Sequence, residues 1–132
     1  MSLPAHLHAA YCDAVYEVDF ASGRRAFRHG QRAAPCPAFA IVTAWHPGTA
    51  RPSQAENEAA NERLASVLDA EGYCYVTARG YSPDHTHEEP SFAILGIELE
   101  EALVLASTFG QAAIFWWDGE AGRVILTADA AE

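Results

Sequence analysis

The chain has 132 residues, is 50% hydrophobic, and sets 18 acidic side chains against 8 basic ones, all arginine, for a net charge of −10 at pH 7. That length suits one globular domain over 1–132, in which folding removes about two thirds of the unfolded chain's surface from water. The charge repels polyanions, which excludes nucleic acid and anionic membrane as main partners, and no apolar run approaches the ~20 residues of a membrane-spanning helix.

The opening Met1-Ser2-Leu3-Pro4-Ala5-His6 lacks the basic and apolar segments of an export signal, so a cytoplasmic address is expected. A short helix fits residues 5–13, with 1–14 as a whole prone to fray. Over 15–20, Tyr16, Val18 and Phe20 alternate with Glu17 and Asp19, the two-residue period of a strand with one wet face. Ala21-Ser22-Gly23-Arg24 is turn chemistry, and 25–29 return as the second strand of a hairpin. Arg24, Arg25, Arg28 and Arg32 fall in a stretch with no acidic residue. Two readings stand: charges that blunt a sheet edge, or a patch for an anion or an acidic partner.

Residues 39–45 are nearly all apolar, the pattern of a central strand covered on both faces. His46-Pro47-Gly48 ends it. Ser53 and Glu56 have the spacing of a capping box, and Gly72 suits a left-handed C-terminal position, which predicts a helix over 54–71. Its inward stripe carries Asn57, Asn61, Leu64 and Leu68, amide near its start and apolar near its end, with Val67 beside it. A strand over 73–79, a loop over 80–90 and a strand over 91–97 follow. Glu98, Glu100 and Glu101 favour a helix start, Ala102, Leu103, Ala106 and Phe109 supply its buried stripe, and Gly110 ends it. Strands over 111–117 and 123–127 flank Asp118-Gly119-Glu120-Ala121-Gly122 as a terminal hairpin, with 128–132 frayed.

The expected fold class is therefore α+β: a two-layer domain with two main helices packed on a mixed or mostly antiparallel sheet and hairpins at both ends. Cys12, Cys36 and Cys74 are odd in number and form no C-x-x-C, which argues against disulfides or thiolate zinc and for small buried hydrophobes.

The segments Thr43-Ala44-Trp45-His46-Pro47-Gly48, Glu56-Asn57 with Asn61 and Leu64, Glu89-Pro90-Ser91-Phe92 and Phe109-Gly110-Gln111-Ala112-Ala113-Ile114 resemble, in order and spacing, the bacterial family known as domain of unknown function 3293. The similarity runs from about Tyr16 to Trp117, with His46 standing where the family pattern has Asn. The resemblance implies a compact single domain and supplies no activity.

Site chemistry thus rests on side chains. Asp84-His85-Thr86-His87-Glu88-Glu89 has residue types for a divalent metal, with His85 and His87 on one side of an extended segment and His46 as a third ligand. Against that stands a solvated acidic loop, and no metal is the expectation. Trp45, Trp116, Trp117, Tyr73 and Tyr75 can be an aromatic platform or simply core. No phosphate-binding, dinucleotide or nucleophile motif is present, so no cofactor is implied. The topology draws Trp45, His46, Asn57, Asn61, Glu89, Ser91 and Gln111 to one polar cleft at the end of the central strand, either as a bracing network or as a site for a small polar molecule. Glu89 is the one candidate general base of a hydrolase-type enzyme; a module that binds a protein partner, or a weak homo-oligomer, remains the other class.

Overall fold

The computed structural model describes residues 5–32, 36–45 and 52–127. Ten elements lie among the described residues: α1 (Ala5–Asp13), β1 (Val15–Phe20), β2 (Gly23–Arg28), β3 (Phe39–Val42), α2 (Gln54–Ala70), β4 (Cys74–Tyr81), β5 (Glu88–Leu95), α3 (Leu99–Thr108), β6 (Ala113–Trp117) and β7 (Gly122–Leu126). The seven strands form one sheet in the order β2-β1-β4-β5-β3-β6-β7, antiparallel at every described pairing. The apolar run at 39–42 lies between β5 and β6, and all four of its residues are buried.

The sheet curls, and this overturns the two-layer expectation of two main helices on a sheet. The inner face encloses a core of its own, built on Tyr16, Val18, Phe27, Phe39, Phe115 and Trp117. Tyr16 stacks on Phe115 at 4.5 Å, and Phe27 meets both Phe39 and Trp117 at 4.9 Å. The outer face holds a second core, in which Leu64 and Leu68 of α2 and Ala102 and Ala106 of α3 cover Ala40, Val42, Ile94 and Ile114. Alternation along the strands feeds both: Phe39 and Ile41 point in while Ala40 and Val42 point out. A half-barrel with three short helices results, α+β only in the broad sense. Aromatic side chains that would overfill a flat interface fit here because the curl wraps around them.

The curl brings the sheet's two edges together at one corner. Gly30 donates to the Gly122 carbonyl (2.8 Å), Gly122 donates to that of Gln31 (3.0 Å), and Val124 N–H donates to Nδ1 of His29 (2.9 Å). A Cβ at Gly122 would lie 2.4 Å from Cζ of Phe115 and 3.0 Å from the Arg28 carbonyl oxygen, so only glycine lets the edges meet.

Local signals set the helices. Ser53 Oγ accepts from Glu56 N–H while the Glu56 carboxylate accepts from Ser53 N–H, both at 3.1 Å, and Gly72 and Gly110 take left-handed φ of 77° and 73° after α2 and α3. Several expectations need correction. The strand read over 39–45 ends at Val42. The long loop over 80–90 shrinks to 82–87, because β4 reaches Tyr81 and β5 starts at Glu88. Val67, placed in the core, is 37% exposed, since the α2 stripe tilts through Leu64 and Leu68. Cys74 is exposed, and Cys12 and Cys36 are half-buried. The loop at His46, Pro47 and Gly48 and the tail over 128–132 lie outside the described residues.

Candidate functional site

One end of the curled sheet gathers the starts of β1, β5 and β6 and the ends of β3 and β4. Registry there is direct: Tyr16 pairs with Gly80, and Gly80 pairs with Glu89. Residues paired across strands share a face, so Glu89 stands on the concave side with Tyr16. The inner face here is built of small side chains, Gly80 and Ala113 among them, and the aromatic core stops short of the end. The space left is a cavity of about 380 Å³ with Ile41, Ala113 and Phe115 on its floor, Tyr11 and Tyr16 on one wall, and Thr43, His87, Glu89 and Gln111 among its polar groups.

Gly80 makes that wall possible. The Tyr16 ring lies over it, with Cδ1 and Cε1 both 3.4 Å from where a Cβ would be. Burial raises the Tyr16 phenol well above its ordinary pKa, and nearby Tyr11 and the charge of Glu89 push the same way. The phenol stays protonated and donates to the Tyr11 carbonyl at 2.8 Å, tying the wall to α1.

The expected cleft residues separate into groups. Asn61, on the buried face of α2, accepts from Ala44 N–H through Oδ1 (2.8 Å) and donates through Nδ2 to the Pro90 carbonyl (3.0 Å). The Thr43 hydroxyl donates to the same Pro90 oxygen (2.8 Å) and accepts from Trp45 N–H (3.0 Å). Gln111, 4% exposed, donates through Nε2 to the Trp45 carbonyl (3.1 Å), and the Ser91 hydroxyl donates to the Glu89 carbonyl (3.0 Å). These bonds fasten the chain leaving β3 to α2, β5 and the start of β6, at a point where β3 has lost its ladder. Of the seven residues, Glu89 and Gln111 line the cavity; Asn57, 1% exposed on α2, and Asn61 lie on the helix-covered side of the sheet. His46 lies outside the described residues.

Sequence reading missed Thr43, Tyr16, Gly80 and Ala113 as cavity residues. Gly80 carried a signal, because a glycine within a strand marks close approach of another group; assigning it to a loop hid that.

The β4–β5 turn is held by Asp84, whose Oδ1 accepts from the Ser82 hydroxyl (2.8 Å), the Thr86 hydroxyl (2.8 Å) and Thr86 N–H (3.1 Å), lowering its carboxyl to about 2. His85 takes φ of 59° and stacks on Tyr81 at 4.5 Å, while His87 lines the cavity. Among the described residues no three His, Cys, Asp or Glu side chains group closely enough to hold a metal.

The arginine stretch lies on β2, an edge strand, and just beyond it. Arg24 pairs with Asp19 at 2.9 Å and Arg25 sits over the Phe27 ring at 5.0 Å, which leaves Arg28 and Arg32 as the outward charges. On the outer face beside it, Glu17 accepts from Arg79 (2.8 Å) and Tyr81 (2.8 Å); hydrogen bonds from Arg79, then Tyr81, lower its carboxyl below the ordinary range.

Among the described residues no helix is long and apolar enough to cross a membrane. No curated protein and no solved structure matches the chain. The family described as Protein of unknown function (DUF3293) matches residues 42–114, from the last residue of β3 through α2, the β4–β5 hairpin and α3 into β6, and the chain belongs to that family.

Proposed function

We propose that the chain is a small-molecule-binding domain whose ligand occupies the cavity at the end of the curled sheet. The observation that carries this reading is the cavity itself: about 380 Å³, apolar on its floor and polar toward Glu89, Gln111 and Thr43. That size and pattern match ordinary ligand sites, in which apolar contact supplies affinity and a few polar groups set orientation. A well-packed core leaves few voids of this size without use. Asn61 serves the site from behind, by fixing the strand end that carries Thr43.

The three free cysteines support a reducing, cytoplasmic address. The net charge of −10, with Arg24 already paired, supports a role without nucleic acid.

A thermal-shift screen of metabolites against the native chain and Ala113→Phe tests the proposal. A ligand that binds the folded state raises its apparent stability. Hits are expected on the native chain and lost in Ala113→Phe, whose ring fills the floor. Hits that persist in a folded Ala113→Phe protein would place binding elsewhere and overturn the reading.

A further inference from the structure

We propose that β2 is a docking edge, to which an extended segment of a partner protein, carrying two carboxylates three positions apart, adds as a further strand. The edge stands apart from the cavity, whose lining contains no residue of β2.

The backbone supplies the first argument. β2 pairs with β1 on one side and ends the strand order on the other. Arg28 N–H points away from β1 and donates to Oε1 of Gln31 (2.8 Å). In an antiparallel pair this direction alternates along the strand, so the N–H and C=O groups of Ala26 and Arg24 point outward as well. At His29, Gly30 and Gln31 the sheet's other edge meets this one. At Arg24 and Ala26 no described residue does, and both are exposed. Two donors and two acceptors thus stand in a row, in the pattern that an incoming strand completes. The row ends at Arg28, whose backbone is already bonded to Gln31.

The side chains supply the second. Charged side chains commonly blunt an edge, but here two of them are drawn off it: Arg24 reaches across to Asp19 of β1 (2.9 Å), and Arg25 lies over the Phe27 ring (5.0 Å). They are held against the faces of the sheet, and its rim stays open. Beside that rim Arg25 and Arg28 make no ion pair among the described residues. Three apart on a strand, they lie on opposite faces, and the residues that face them on an added strand are three apart and on opposite faces too. Each arginine then meets one carboxylate of an acidic segment. A second copy of this edge would set arginine against arginine. At physiological salt charges are screened within ~8 Å, so these arginines govern the encounter more than the net charge of −10 does.

The test titrates the full chain, at low salt, with a short acetylated peptide of threonine and valine carrying two glutamates three positions apart, followed by amide chemical shifts and hydrogen exchange. Saturable shifts are expected at Arg24, Arg25 and Ala26, with exchange of the Arg24 and Ala26 amides slowed at least about tenfold and the Gly80 and Ala113 amides unmoved. The same peptide with glutamine for glutamate lacks the charge, and one N-methylated at alternate residues lacks the ladder; each should bind at least about tenfold more weakly, readouts that use the native chain alone. Arg25→Gln combined with Arg28→Gln should bring the acidic peptide down to the affinity of the glutamine one. Equal binding of the glutamine peptide or of the N-methylated peptide overturns the proposal. So does the absence of saturable binding, or protection of the Arg24 and Ala26 amides that grows with protein concentration in the peptide's absence, which would make a second copy the occupant.

Discussion

Asn61→Ala isolates the brace behind the cavity. The Asn61 amide satisfies the N–H of Ala44, which is fully buried, and donates to the Pro90 carbonyl. The two losses are unequal. Pro90 keeps a partner in the Thr43 hydroxyl at 2.8 Å, so that bond costs about 1 kcal/mol. Ala44 N–H loses its side-chain acceptor in a place water does not reach, which costs about 1–3 kcal/mol more. A total of about 2–4 kcal/mol follows, and for 132 residues, at ~2.1 cal/mol/K of unfolding entropy per residue, this corresponds to a fall in Tm of roughly 10 °C. Asn61→Asp sharpens the test. At neutral pH it buries a charge and loses the donor to Pro90; once protonated it can accept from Ala44 and donate to Pro90 as the amide does. Its folded pKa is therefore raised above the unfolded value near 4, and its penalty is present above the folded pKa and relieved as pH falls through it. Urea unfolding at pH 7.5 and pH 5 measures both variants. A loss below about 0.5 kcal/mol for Asn61→Ala, or an Asn61→Asp penalty that does not shrink toward pH 5, would refute the brace.

Leu64→Ala and Leu68→Ala, both fully buried beneath α2, should each cost about 2–5 kcal/mol in chemical unfolding; losses under about half a kcal/mol at both would remove α2 from the outer core. Gly122→Ala should cost more than about 2 kcal/mol, because its Cβ would meet Phe115 and the Arg28 backbone, and amide exchange should quicken first at Gly30 and Val124; unchanged exchange there would refute the edge closure. Glu17, Asp19, Asp84 and Asp118 all have carboxyls lowered below the ordinary range: by hydrogen bonds from Arg79 at Glu17, from Arg24 at Asp19, from Ser82 at Asp84 and from Ala121 N–H at Asp118. Their contribution is complete above the unfolded values near 4 and is lost as pH falls toward about 2, so urea midpoints should hold steady down to about pH 4 and then drop; a decline that begins above pH 5.5 would contradict this. The Arg24 to Arg32 stretch should bind anions weakly and only at low salt; sub-micromolar binding to DNA at physiological salt would show otherwise.

Much of the local structure was legible because its causes are local. Ser53 with Glu56 marks the start of α2, Gly72 and Gly110 mark helix ends, and the alternation of Tyr16, Val18 and Phe20 marks a strand with one buried face. The curl was not legible, because its cause is collective. Alternation tells which face of β1 or β3 is apolar, and it does not tell whether a helix or the sheet itself will cover that face. Phe27, Phe39, Phe115 and Trp117 come from three separate strands and meet only once the sheet has bent. Gly122, which lets the edges meet, reads in sequence as one more turn residue. The cavity escaped for a related reason: it is defined by what Gly80 and Ala113 lack, and an empty volume has no sequence motif. Asn57 and Asn61 drew attention as polar residues on an inward helix face; both are buried, and Asn61 is bonded to the chain leaving β3 at Ala44 and to the Pro90 carbonyl.

The central claim is that the end of the curled sheet is a binding site. Amide chemical-shift mapping of the strongest thermal-shift hit tests it most directly. Perturbations are expected to gather on Thr43, Gly80, Glu89, Gln111 and Ala113, which come from three strands and the segments after β3 and before β6 and all line that cavity. Saturable perturbations confined instead to the outer faces of α2 and α3, with those five amides unmoved, would contradict it.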